Sequence, residues 1–286
     1  MKKVSIIGAG KLGASLGAAL FKKGYRIKAI SCRHLSSAKE SRKIIGEGLE
    51  STDNIKTAEV GEIVVLSIPD DQIKKTAEEL ASSSVTWQDK FIFHCSGFLS
   101  SKILLPLKNK GALTASIHPI QSFPKKSAPV EQFKNIYFGI EGSEKALEIS
   151  KKIISDLGGK SITIQTGNKP LYHTACTFAS NFFITLINTA QTLLSQSGIE
   201  EQETFQMIQP LIQGTLNNMS QNQYDSPLTG PINRGDINTF KLHLKALQTK
   251  PDCLKIYVAM AKQALEITKK QKKLPDHIIK EIENLL

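Results

Sequence analysis

Through the first half of the chain, short runs of Val, Ile, Leu and Phe alternate with longer stretches whose apolar positions recur every three or four residues. An unbroken apolar run of four or five residues suits a strand covered on both faces, and the longer amphipathic stretches suit the helices that cover it. Strands are predicted at residues 4–7, 26–30, 63–67, 91–94 and 113–117, with two more at 136–140 and 161–164. A helix over 143–157 joins the last two and is stopped by Gly158-Gly159. This alternation predicts an α/β fold built on a doubly wound, mostly parallel sheet. Past Gly167 the pattern turns wholly helical. Asn168 as cap and Pro170 in the first turn open a helix that should run to about Ser197, where Gly198 ends it. Further helices are predicted over 200–219, 237–249, 254–271 and 276–285. The chain therefore reads as an α/β domain, 1–166, and an all-helical domain, 167–286, without a low-complexity linker.

The first predicted strand runs straight into Gly8-Ala9-Gly10-Lys11-Leu12-Gly13 and then into a helix-like stretch over 14–23. With a strand before it and a helix after it, this Gly-x-Gly-x-x-Gly spacing points to a dinucleotide-phosphate site of the Rossmann type. Gly8 permits the tight turn, Gly10 the close approach of a pyrophosphate, and Gly13 close packing of helix on sheet. The free N–H groups at the start of the helix, around Lys11 and Leu12, face the phosphates. An Asp or Glu at the end of the second strand would hold a ribose 2′-hydroxyl, but here Ser31-Cys32-Arg33-His34 follows, with Ser36 and Ser37 next. A guanidinium and hydroxyls suit a 2′-phosphate, so NADP(H) is the expected cofactor, with Ser31, Arg33 and Ser36 among its contacts.

Charge and cysteines change the picture little. The formal net charge is +11, but nine of the Lys and Arg residues precede the first acid, Glu40. The excess therefore gathers around the expected cofactor site, where it suits a small anionic ligand. Interleaved aromatics and any recognisable nucleic-acid module are missing, so no nucleic-acid partner is expected. Apolar runs stay far short of the ~18 residues of a membrane span. Gly8 and Gly10 interrupt the run after Lys2-Lys3, so the glycine fingerprint explains that segment better than a signal peptide does. Cys32, Cys95, Cys176 and Cys253 are widely spaced and read as reduced thiols of a cytoplasmic protein.

Ligands of open parallel sheets lie beyond the carboxyl ends of the strands. Ser67-Ile68-Pro69 follows the third strand and can lie against the cofactor, with Asp70 placed to cap a helix over 72–80. Cys95-Ser96-Gly97 follows the fourth and leaves room for nicotinamide, so Ser96 joins the cofactor contacts. His94, partly within its strand, reads as a structural histidine. His118, ending the fifth strand before Pro119, reads either as structural or as pointing into the cleft. Neither pairs with ligands at metal-binding spacing, so no metal is expected. In the long helix, His173, Thr177, Ser180, Asn181 and Asn188 share one face at 3.6 residues per turn. Such a stripe needs partners, which could be water, another helix or a substrate cleft. Farther on, Arg234 in Gly230-Pro231-Ile232-Asn233-Arg234-Gly235-Asp236 is a candidate for an anionic substrate group, and Asp236 a cap for the next helix. Its Arg-Gly-Asp is too short and common to read as an adhesion signal.

Together these motifs, with Leu66-Ser67-Ile68-Pro69-Asp70-Asp71, His94-Cys95-Ser96-Gly97, His118-Pro119-Ile120-Gln121-Ser122-Phe123-Pro124 and Leu171-Tyr172-His173, give a chain that resembles a bacterial two-domain family. That family pairs a Rossmann-like NADP oxidoreductase domain with a helical domain of unknown function. It is similar to pyrroline-5-carboxylate reductase and the 6-phosphogluconate-dehydrogenase-like superfamily. The resemblance implies a helical C-terminal domain that often forms homodimers. It also brings Lys169 and His173 near the catalytic positions of some β-hydroxyacid dehydrogenases, although their Gly-x-x-x-Lys-x-x-x-Asn pattern is missing here. The reading that follows is an NADPH-dependent reductase delivering hydride to a C=O or C=N group of a small anionic metabolite. In it His173 is the proton donor with His118 in reserve, Ser180 and Asn181 orient the substrate, and Arg234 holds its anionic group. The alternative is a non-catalytic NADP(H)-binding sensor or partner-binding protein.

Overall fold

The computed structural model describes residues 2–126, 129–221 and 228–286. Two compact units divide the chain, residues 1–180 and 181–286. In the first, eight strands form one sheet: β1 (Lys3–Ile7), β2 (Arg26–Ser31), β3 (Leu49–Ser51), β4 (Ile63–Leu66), β5 (Phe91–His94), β6 (Leu113–Pro119), β7 (Tyr137–Gly142) and β8 (Lys160–Thr163). Their order is β3-β2-β1-β4-β5-β6-β7-β8, and every neighbouring pair is parallel except β6 with β7. The helices of this unit are α1 (Lys11–Lys22), α2 (Leu35–Ile45), α3 (Asn54–Glu59), α4 (Asp70–Ala81), α5 (Leu105–Lys108), α6 (Glu144–Leu157) and α7 (Lys169–Thr177). β4, wholly apolar, and β1, apolar from Val4 to Ile7 except for the buried Ser5, are covered on both faces, as parallel strands between helix layers must be. Two apolar cores result, one around Ile6, Leu20, Phe93 and Phe138, the other around Leu66, Ile73, Leu80 and Trp87.

The strand order reverses between β1 and β4, so the carboxyl ends of these two strands flank the crevice where doubly wound sheets bind ligands. β7 runs back antiparallel beside β6, which brings Gly139 opposite His118. Four predicted features need correction. Asp70 does not cap its helix: α4 starts at Asp70 itself after Pro69, and the Asp70 carboxylate instead accepts from Ser96 Oγ at 2.7 Å. Asn168 likewise gives no side-chain cap to α7, its amide donating to Gln165 Oε1. The predicted helix to Ser197 is not continuous, because a π-helical turn at Phe178–Phe182 separates α7 from α8 (Phe183–Gln196). The i→i+5 pattern of that turn breaks the 3.6-residue register that put His173, Ser180 and Asn188 on one face. Last, α2, β3 and α3, and the short helices α5 and Pro231–Arg234, have no counterpart among the predicted elements.

The second unit holds α8, α9 (Glu201–Gln221), α10 (Pro231–Arg234), α11 (Ile237–Leu247), α12 (Pro251–Gln271) and α13 (Asp276–Leu285). Ile232, Phe240, Ala261, Leu265 and Ile282 form its core. Asp236 does cap α11, accepting from the Thr239 amide at 3.1 Å. Among the described residues, no helix is long and apolar enough to cross a membrane.

Candidate functional site

Two neighbouring constellations occupy the carboxyl edge of the sheet in the first unit. The first is a cavity of about 430 Å³ at the β1/β4 switch point. Its walls come from the turn Ile7 to Gly10, from Ser31 to His34 after β2, from Ser67 to Pro69 after β4, and from Ser37, Thr52, Asn54, Gln72, Thr76 and Lys126. Gly8 has φ +88°, and a Cβ there would lie 2.5 Å from the Ser67 carbonyl oxygen. At Gly13 a Cβ would lie 2.4 Å from the Gly8 oxygen, so the helix seats directly on the turn. Gly10 is the opposite case, since no atom comes within 4 Å of the Cβ position, and the turn is open there to an incoming group.

This donor set fits a dinucleotide. Gly10 caps α1 without a side chain, the first turn of α1 carries no acid, and its leading N–H groups lack intrahelical acceptors. Among the described residues the cavity wall carries no carboxylate, while Arg33, His34 and Lys126 supply basic groups. Ser31 Oγ donates to Asn54 Oδ1 at 2.7 Å, tying the end of β2 to α3. Ser41 Oγ donates to the Ala9 oxygen at 2.7 Å and Ser15 Oγ to the Lys126 oxygen at 2.9 Å, fixing α2 and the segment after β6 around the glycine turn. Of the anticipated contacts, Gly8, Ala9, Gly10, Ser31, Arg33, Ser67, Ile68 and Pro69 line the cavity. Lys11, Leu12 and Gly13 form the first turn of α1 and are not part of the lining. Ser37 faces the cavity where Ser36 was expected, because α2 turns Ser36 outward to solvent. Ser96 is outside the lining: its hydroxyl donates to Asp70 and accepts from the amides of Phe98 and Leu99.

The second constellation gathers where β5, β6 and α7 meet. Lys169, 1% exposed, donates from Nζ to the Ser96 carbonyl oxygen at 3.0 Å and to Ser116 Oγ at 2.8 Å. Burial pulls its pKa down to about 8, against the opposing pull of Glu141 and Asp70. The Glu141 carboxylate is itself buried and accepts from Ser101 and Thr166. Lys169 Nζ also sits 5.6 Å from the centre of the Tyr172 ring. The Tyr172 hydroxyl lies 2.7 Å from His118 Nδ1, and the His118 and His173 rings meet edge to face at 5.8 Å. Burial, then the charges of Lys169 and His173, lower the His118 pKa to about 4. A Cβ on Gly97 would lie 2.4 Å from His173 Cδ2 and 2.9 Å from His118 Nε2, so both rings depend on that glycine.

His94 is spoken for on both sides: the Ser96 amide donates to Nδ1, and Nε2 faces the Ser100 oxygen, while burial lowers its pKa to about 4. Burial pushes the Cys95 thiol up to about 12, leaving it protonated. Ser180 ends the first unit and is exposed, Asn181 begins the second and is exposed, and Arg234 is exposed at the end of α10 in the second unit. Sequence reasoning gave no role to Tyr172, Thr52, Asn54 or Lys126. The first is signalled by the glycines at 97 and 139 that clear space around the ring cluster, and the others have no local signal.

Residues 1–119 match the Rossmann-like domain family, and residues 136–264 match the family described as Domain of unknown function (DUF2520). No curated protein matches the chain. Among solved structures, a Bacteroides fragilis protein described as a "putative NADP oxidoreductase" is 23% identical, covering 92% of this chain and 97% of that one, with a TM-score of 0.76. A Thermotoga maritima protein is 29% identical over 94% of this chain and 100% of its own, with a TM-score of 0.71. A pyrroline-5-carboxylate reductase from Coxiella burnetii is 15% identical over 94% and 98% of the two chains, with a TM-score of 0.57. These structures share the fold of a Rossmann-like domain followed by helices.

Proposed function

For a chain that joins a Rossmann-like domain to a DUF2520 domain, we propose an NADPH-dependent reductase that delivers hydride to the C=O or C=N carbon of a small anionic metabolite. The observation that carries this reading is the paired histidine cluster at Gly97, built on the carboxyl edge of the sheet that also carries the glycine-turn cavity. When bound, the dinucleotide supplies the hydride. The chain's own residues hold it: the Gly8 to Gly13 turn takes the pyrophosphate, and Arg33 with Ser37 takes the 2′-phosphate. His173 supplies the proton to the substrate heteroatom, with His118 in reserve, so that the carbonyl or imine, NADPH and a proton give the alcohol or amine and NADP⁺. The Bacteroides and Coxiella proteins, described as a "putative NADP oxidoreductase" and a pyrroline-5-carboxylate reductase, support both the cofactor and the reaction class.

Ser180 and Asn181 remain candidates for orienting the substrate and Arg234 for its anionic group. Exposed Ile184, Phe205, Met207 and Leu211 on α8 and α9 support a homodimer through the helical unit, and the free thiols suit a cytoplasmic setting. The test is NADPH oxidation, followed at its absorbance, against a panel of small 2-oxo acids and cyclic imine carboxylates. Turnover with one class, lost in His173→Ala with NADPH binding intact, supports the reading. NADPH binding without turnover across the panel favours the sensor alternative, and near-normal turnover in His173→Ala removes the histidine from its role.

A further inference from the structure

We infer that Tyr172 is a positioning residue: its hydroxyl donates to His118 Nδ1 and fixes the imidazole in the tautomer that carries its proton on Nε2. This rests on the reductase reading above and concerns how that site presents a donor to the substrate.

The geometry is specific to the tyrosine. Its oxygen is 2.7 Å from Nδ1, and the two rings stand at 88° with centres 5.6 Å apart. The hydroxyl reaches this position only because residue 139 is glycine, where a Cβ would lie 2.5 Å from the phenol oxygen. The partner at hydrogen-bonding distance is His118 Nδ1. An unprotonated imidazole nitrogen is a good acceptor, so the phenol hydrogen goes to His118.

The bond made by one ring nitrogen decides what the other carries. The Lys169 ammonium, held against the Tyr172 ring, opposes a second proton on His118, as does the facing His173. A neutral imidazole with Nδ1 occupied as acceptor has one hydrogen, on Nε2. Among the described residues nothing accepts from His118 Nε2, and that edge of the ring faces Gly97. A neutral Nε2–H is a donor aimed at a carbonyl oxygen or imine nitrogen, the kind of use seen where an imidazole is kept uncharged to polarise a substrate. The opposite tautomer would turn a lone pair toward the same electron-rich atom.

The test is a long-range ¹H–¹⁵N correlation spectrum of the full-length protein labelled in its histidines, without ligand, at neutral pH. His118 is assigned from the signal lost in His118→Asn. The wild-type His118 should show a protonated Nε2 and an unprotonated, hydrogen-bonded Nδ1. Tyr172→Phe should move both nitrogens toward the averaged shifts of a tautomer mixture. His94 is the internal reference, because the Ser96 amide and Ser100 carbonyl hold it in the Nε2–H form independently of Tyr172. Its unchanged signals report an intact fold. A wild-type His118 with its proton on Nδ1 overturns the inference whether or not the variant folds, as do unchanged His118 signals in a folded Tyr172→Phe. NADPH titration of the same samples keeps the two claims apart: absence of binding sinks the reductase reading, whereas the nitrogen shifts alone decide the tautomer.

Discussion

Lys169 keeps a charge at a site with 1% exposure, held by one carbonyl, one hydroxyl and an aromatic face. Its pKa falls from 10.5 to about 8, so at neutral pH the folded chain retains a proton that it holds less firmly than the unfolded chain does. The sign follows: between about pH 8 and 10.5 the unfolded chain binds the proton that the folded chain has lost, so stability rises with pH across that window, and the cost of burying the ammonium is full below about pH 8. Below about pH 8 both states carry the proton, and what is left is the desolvation of a buried ammonium against its hydrogen bonds. Lys169→Met should therefore leave the Tm at pH 7 unchanged or higher by calorimetry, and a clear fall would show that its hydrogen bonds outweigh its desolvation. Gly97 offers a sharper geometric case. Gly97→Ala should displace both histidine rings, visible as shifts of the His118 and His173 signals, while NADPH affinity stays within about twofold of the parent, since Gly97 is not in the cavity wall. Residue identity told only part of this. Asp70, Asn168 and Asp236 all have the chemistry of a helix cap, yet only Asp236 caps, because Asp70 finds Ser96 and Asn168 finds Gln165.

At the scale of elements, the buried parallel strands were legible because they are short and continuously apolar. β3, Leu-Glu-Ser on the sheet edge and half exposed, offers no such run. α1 was legible for a physical reason that can be tested. Its start is packed on the Gly8 carbonyl, where Gly13→Ala would put a Cβ 2.4 Å from backbone oxygen, so this variant should lose about 2 kcal/mol or more in denaturant unfolding. A loss under about 0.5 kcal/mol would mean that the helix can shift off the turn without consequence. The long helix was legible only in part. A 3.6-residue pattern passes through Phe178–Phe182 without interruption, so nothing in the periodicity marks the π turn or the division between compact units at Ser180. For the same reason the polar stripe overstated how far His173, Ser180 and Asn188 act together.

For the whole molecule, the sheet's topology concentrates the chemistry: the order reversal makes the cavity, and the single antiparallel pair sets Gly139 opposite His118, leaving room for the Tyr172 ring from α7. That concentration has a cost at low pH. His94 and His118 are held near pKa 4 in the fold against 6.5 when unfolded, so between those values the unfolded chain binds more protons and stability falls as pH drops. Each histidine contributes on the order of 3 kcal/mol to the loss. Equilibrium unfolding should weaken steeply from pH 6.5 to 4, and His94→Gln should flatten that slope without changing NADPH binding. A flat profile in the parent would mean that neither ring is held neutral.

The central claim is that the glycine turn, with Arg33 at the end of β2, forms an NADP(H) site, and calorimetric titration of the protein with NADPH and with NADH tests it most directly. Charge-assisted bonds from Arg33 to a 2′-phosphate, at about 1.5–3 kcal/mol, predict NADPH binding roughly tenfold to a hundredfold tighter, with the gap narrowing in Arg33→Asp. Equal affinities in the parent protein, or a preference for NADH, would contradict it.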